Sequence, residues 1–180
     1  MAKQENLETN RKVNLIEDLN GNKIVVINDI IFKGKRKIAW NDVEKYLKRY
    51  IGEFYEIAST KEIIYIGRDL PDEYANSNYT YNLRGTSAKA KANAVQGIPE
   101  MIEIATGKQY EANTKIKHGK DAKYGWYRYE SRFALPIYDE DGDIVRYNIF
   151  HAIMLMRRAQ DQKMYLYDII QIKKEMRNLF

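Results

Sequence analysis

The chain has 180 residues, 30 Lys and Arg against 25 Asp and Glu, two His and no Cys. That length suits one domain, which buries about 70% of the surface its unfolded form exposes and needs no staple. The missing thiols exclude disulfides, thiolate zinc sites and cysteine nucleophiles, two histidines argue against a His-rich metal site, and a net charge of +5 fits an acidic partner without requiring one.

Residues 1–12 are polar throughout and predict a disordered N-terminus lacking the apolar core of a signal peptide. The longest apolar runs, such as Ile149–Met156 broken by His151, are too short to span a bilayer. The expectation is a cytoplasmic protein with no membrane partner. Asn20-Gly21 marks a turn. Lys23–Phe32 reads KIVVINDIIF, a β-rich stretch with Asn28-Asp29 as its hairpin tip. The run Lys33, Lys35, Arg36, Lys37 reads as a solvated loop.

Asn41–Ala58 carries the clearest helical pattern. Asn41 suits an N-cap, with Glu44 three residues on as a capping box requires. Val43, Tyr46, Leu47, Tyr50, Ile51, Phe54 and Ala58 recur at steps of three and four as one apolar stripe. Ile63–Ile66 reads as a short strand and Gly67–Asn78 as a turn-rich loop. Thr86 or Ser87 can cap a second helix through about Gln96. Gly97 breaks it, and Pro99 restarts helix at a first turn. Residues 108–123 read as a basic loop. Three strands follow, Tyr124–Tyr138, Ile144–Arg157 and Lys163–Lys174, as an antiparallel meander. In the first of them Tyr127, Tyr129, Ser131, Phe133 and Leu135 alternate with Trp126, Arg128, Glu130 and Arg132. These elements predict an α+β fold. A twisted antiparallel sheet, with the meander at its C-terminal end, packs on helices. Residues 13–60 supply an N-terminal β-hairpin and helix, in one compact domain with residues 61–180.

Function concentrates in Arg84–Arg132. Ten Lys and Arg stand there against five Asp and Glu, an excess equal to the whole chain's net charge. The same stretch holds His118 and the aromatic run Tyr124, Trp126, Tyr127, Tyr129. Concentrated cation, an imidazole and stackable rings suit a polyanion, most simply RNA. No phosphate loop, G-x-G-x-x-G, G-x-S-x-G or H-E-x-x-H is present. The acidic turn DEDGD at 139–143 has its glycine in the wrong place for a calcium loop and reads as a hairpin turn.

A metal-free ribonuclease needs a base for the 2′-hydroxyl, an acid for the leaving oxygen and cations on the phosphate. His118 fits the base or the acid, and Tyr167 a second proton donor. Arg128 and Arg132, about 13 Å apart along one strand face, can hold phosphate, with Lys91 beside them. Trp126 can stack a base. Lys89, Lys91, Lys117 and Lys120 are the remaining candidates for nucleic-acid contact. Each has a plainer reading. His118 can be a surface histidine, His151 a hydrogen-bonded ring in a strand, the lysines solvated, and Arg128–Glu130–Arg132 an ion-pair ladder. The two arginines discriminate. In a concave site beside His118 they favour an enzyme; paired with carboxylates on a flat face they favour an interaction domain.

The segments LRGTSAKAKANAVQGIPEMIEIA, KHGKDAKYGWYRYESRFALPIYDEDG and KMYLYDIIQIKKE carry a resemblance over roughly residues 60–175. The chain resembles a C-terminal domain of phage head-morphogenesis and mobile-element polyproteins of Firmicutes. Such domains are grouped with barnase–EndoU–colicin–RelE-like nucleases and large polyvalent protein-associated domains. The resemblance implies a nuclease-like core at 61–180 and metal-independent RNA cleavage, often by a toxin effector, with no cofactor. It brings no position-by-position catalytic motif. RNA is the expected partner, with an immunity protein or a second copy of the chain beside it. The alternatives are a non-catalytic nucleic-acid-binding module and a protein-interaction domain of a phage or mobile-element assembly.

Overall fold

Period-two burial organises the C-terminal half of the chain. The computed structural model describes residues 11–34 and 37–179. In β6 (Trp126–Tyr138) Tyr129, Ser131, Phe133 and Leu135 are buried, while Trp126, Arg128, Glu130 and Arg132 face the other way and keep contact with solvent. β6 lies antiparallel to β7 (Ile144–Arg158), and β7 antiparallel to β8 (Met164–Leu179). The turn between β6 and β7 is held by Asp139, whose carboxylate accepts from the amides of Asp141 and Asp143 at 2.9 Å.

The sheet is mixed rather than antiparallel throughout. β1 (Val13–Glu17) and β2 (Lys23–Ile27) form a hairpin, and β2 runs parallel to β6 through Val25 and Phe133. β3 (Phe54–Glu56) and β4 (Ile63–Tyr65) pair antiparallel, and β4 runs parallel to β8. β5 (Thr106–Glu111) takes the first half of the β6 edge that β2 uses further on. Parallel pairs need long crossovers, and the helices sit in them.

Five sequence expectations are corrected. The hairpin turns at Asp18–Asn22, where the Asp18 carboxylate accepts from Asn20 and Asn22, and not at Asn28-Asp29. Beyond β2, the Asn93 side chain replaces a strand partner by accepting from Ile31 and Phe32 and donating to the Phe32 carbonyl. The first helix, α1, is only Trp40–Leu47, followed by a single 3₁₀ turn. Gly52, with φ +88°, turns the chain into β3, and Phe54 and Ala58 are exposed. Asn41 makes no cap; Ala39 flanks the helix.

The loop expected at Gly67–Asn78 is α2 (Leu70–Asn76), with Pro71 in its first turn. It leads into α3 (Asn78–Tyr81), capped by Ser77. The basic loop at 108–123 contains β5 and a 3₁₀ turn at Ile116–His118. Of the N-terminal segment, Arg11 is held by Glu100 and Lys12 continues the β1 pairing by accepting from Asn28; residues 1–10 lie outside the described residues, as do Lys35 and Arg36 of the basic run.

α4 (Gly85–Ala94) and α5 (Ile98–Glu103) complete the helices on one face of the sheet. Four of the six buried residues of α4 are alanine, so the backbone approaches its neighbours closely. Val43, Leu47 and Tyr50 share one apolar core with Tyr129, Phe133 and Ile169, which joins residues 13–60 to the rest. The Tyr50 and Tyr74 hydroxyls donate to the carbonyls of Val95 and Lys91 at 2.6 Å.

Gly125 links the 3₁₀ segment to β6 with φ +95°, and a Cβ there would lie 2.9 Å from the Glu111 carbonyl and 2.5 Å from the Tyr110 ring. Gly125→Ala is expected to cost about 1–3 kcal/mol. The check is a lower urea midpoint at unchanged slope.

Candidate functional site

On the sheet face turned away from the helical core lies a cavity of about 500 Å³. Its floor is Trp126 and Arg128 of β6, Leu155 of β7 and Tyr167 of β8. The β5–β6 connection forms one wall with Glu111, Asn113, Lys115, Lys117 and His118; the α2–α3 turn forms the other with Glu73, Ser77 and Tyr79.

His118 closes the 3₁₀ turn. Its amide donates to the Lys115 carbonyl, and its own carbonyl accepts from Ala122. The imidazole Nδ1 lies 2.9 Å from Asp121 Oδ2. A carboxylate can only accept there, so Nδ1 carries the hydrogen and Nε2 is left as the basic nitrogen. The ring meets Trp126 edge-to-face at 5.1 Å between centroids and Tyr167 at 5.8 Å; Trp126 and Tyr167 are 4.9 Å apart. Three rings thus hold one another's orientation.

Asp121 is held in turn by Arg157, which donates to its carbonyl at 2.9 Å and grips both oxygens of Asp69. This buried guanidinium ties the His118 turn to the start of α2.

Tyr167 owes its place to a bulge. Leu166 opposes Met156 and Asp168 opposes Leu155, which leaves Tyr167 the extra residue of β8. Bulges re-aim side chains in this way. Burial, and then the Glu73 carboxylate that accepts from its hydroxyl, push the Tyr167 phenol well above its ordinary range. The hydroxyl keeps its proton at neutral pH. Arg128 reaches Glu111 only loosely, at 3.8 Å and largely in solvent, a contact of little energetic weight.

Of the sequence candidates, His118, Arg128, Tyr167, Trp126 and Lys117 line this one cavity. Four others do not. Arg132 lies outside it, with Nε and Nη2 on Glu175 and Nη1 on Asp18, all at 2.8–2.9 Å. Its fork is satisfied by carboxylates, so it leaves the candidate set. Lys91 is fully buried, with Nζ 2.6 Å from Asp168 and 2.5 Å from the Thr80 hydroxyl. A solvent phosphate does not reach it. Lys89 is exposed away from the cavity lining, as is Lys120. The discriminating arginines therefore divide, Arg128 to the concave site and Arg132 to an ion-pair ladder. His151 is half-buried, with Nε2 3.1 Å from Glu130.

Asp121, Glu73 and Arg157 went unnoticed in the sequence. The spacing of His118 and Asp121 at i and i+3 was the available signal for the first. No group of three or more His, Cys, Asp or Glu among the described residues is placed to hold a metal ion. No helix among them is long and apolar enough to cross a membrane. The chain matches no family model, no curated protein and no solved structure in the comparisons made.

Proposed function

We propose that this chain is a metal-independent RNA-cleaving effector. One observation carries the reading: an imidazole oriented by a carboxylate shares a cavity with a protonated phenol, three cations and an indole. His118 Nε2 takes the proton of a 2′-hydroxyl, and the 2′-oxygen attacks phosphorus. Arg128 and Lys117 face the charge that grows on the non-bridging oxygens. The bond to the 5′-oxygen breaks, and Tyr167 protonates the leaving alkoxide. The products are a 2′,3′-cyclic phosphate and a free 5′-hydroxyl. Trp126 offers a face to the flanking base. An origin in a phage or mobile element, with an immunity protein or a second copy as partner, rests on the resemblance alone.

Glu73 favours a second reading. A phenol already donating to a carboxylate gives up its proton less readily, which suits a module that binds RNA without cutting it. Incubation of the purified protein with total RNA in EDTA separates the two. Cleavage that survives chelation supports the enzyme. Intact RNA at high protein concentration overturns it, and retention that falls steeply with salt then identifies the binding module.

A further inference from the structure

One cross-strand row on the same sheet face continues past the cavity. Trp126 opposes Arg157, Arg157 opposes Tyr165, Tyr165 opposes Tyr65 and Tyr65 opposes Phe54. Directly opposed residues share a face, so the row crosses β6, β7, β8, β4 and β3 in turn. The apolar core uses the other face, where Ile64 and Leu166 are fully buried. Phe54 and Tyr65 have centroids 5.8 Å apart, and Tyr65 and Tyr165 5.9 Å, with planes tilted by 43° and 44°. Tyr65 and Tyr165 are half-buried, and Phe54 is 37% exposed on the edge strand.

Cations sit on these rings. Lys163 Nζ stands 4.8 Å from the Tyr65 centroid and Arg157 4.5 Å from that of Tyr165. Arg157 is committed to Asp69, but Lys163 is exposed and in no ion pair among the described residues. Tyr165 is locked from its far end, where its hydroxyl donates to Asp161 at 2.6 Å. Asp161 thus fixes the Tyr165 ring, and Lys163 is among the charges that hold its carboxyl below the ordinary range, but the ammonium itself stays exposed.

Ring faces in sequence, with an exposed ammonium over one of them, are what unpaired nucleotides need. Stacking accepts any base, and the cation follows the phosphate. Sheets that bind single-stranded RNA present aromatics in this way. We propose that Phe54, Tyr65 and Tyr165, with Lys163, form a stacking subsite for unpaired nucleotides of an RNA strand whose reacting phosphate lies in the cavity. This deepens the cleavage reading and rests on it for the position of the phosphate. From Trp126 to Phe54 the row spans four strand spacings, about 19 Å, a reach for several nucleotides. Lys163 leaves the Tyr65 face as a base arrives and pairs with the adjoining phosphate.

Fluorescence anisotropy with a labelled 2′-O-methyl RNA 12-mer tests it, because a strand without 2′-hydroxyls binds and is not cut. Phe54→Ala and Tyr65→Ala are each expected to weaken binding about 10-fold. Tyr65→Trp is expected to retain it, which separates stacking from a folding defect. Lys163→Gln is expected to lower the salt slope by about one. Affinity unchanged in both alanine variants overturns the subsite and leaves the cleavage reading standing. The expected losses in a protein that cuts no RNA support the subsite and overturn the cleavage reading. A wild-type protein that neither binds nor cuts overturns both.

Discussion

Asp168→Ala is expected to destabilise the fold by about 3–5 kcal/mol. Lys91 has no exposed surface and Asp168 is 3% exposed, and their charged atoms meet at 2.6 Å. Around them the Ser77 hydroxyl and the Ile169 amide donate to the carboxylate, and Lys91 lies against the rings of Tyr74 and Tyr79. Burial is the largest influence on each group, raising Asp168 and lowering Lys91. Both directions favour the neutral forms, so desolvation outweighs attraction and removing one partner strands a charge.

The pH dependence then has opposite signs. In Asp168→Ala the stranded lysine titrates lower when folded than unfolded. Its cost is full below the folded value and fades as pH rises through it toward the unfolded lysine value. In Lys91→Met the stranded carboxyl titrates higher when folded. Its cost fades as pH falls toward the unfolded aspartate value. Urea unfolding between roughly pH 5 and 9 checks both slopes. The double variant Lys91→Met with Asp168→Asn is expected to recover most of the loss, because no charge is left to bury. Additive losses would sink this account.

That pair also shows where sequence reading stopped. Alanines surround Lys91 at 88, 90, 92 and 94, so α4 has no polar face to mark which lysine turns inward. The bulge at Tyr167 shifts the alternation of β8, so that Asp168 and Ile169 are buried side by side. Arg132 found Asp18, far away in the chain, through sheet pairing that no local pattern records. The stripe from Val43 to Ala58 ran past a glycine in left-handed backbone, and the last two matches to the period were accidental. By contrast, the mixed α+β class and the alternation from Trp126 to Leu135 were legible, since half-burial writes itself in period two. His118, Trp126 and Arg128 were legible for a simpler reason: they stand within eleven residues of one another, so a single turn and strand bring them together. Asp121 was readable at the same range and passed over.

His118→Ala is expected to lower RNA cleavage by about 10²–10⁴-fold, the usual range for a lost general base or acid. The substitution removes the basic nitrogen and also an edge of the three-ring cluster, so Asp121→Asn is the sharper companion. It keeps the shape but lets the imidazole take the other tautomer, and a smaller loss is expected. Tyr167→Phe preserves the ring packing against Trp126 and removes only the hydroxyl. Its expected effect is on the proton given to the leaving oxygen. Because burial and Glu73 raise the phenol, the wild-type rate is expected not to fall as pH crosses about 10, where an ordinary tyrosine ionises. Glu73→Gln removes one cause of that rise, so its alkaline limb is expected at lower pH than the wild-type one. Residues that act as a unit lose activity together. The double variant His118→Ala with Tyr167→Phe is therefore expected to be little worse than His118→Ala alone. Losses that multiply would mean the two side chains act independently, and base and acid would have to be sought elsewhere along the cavity.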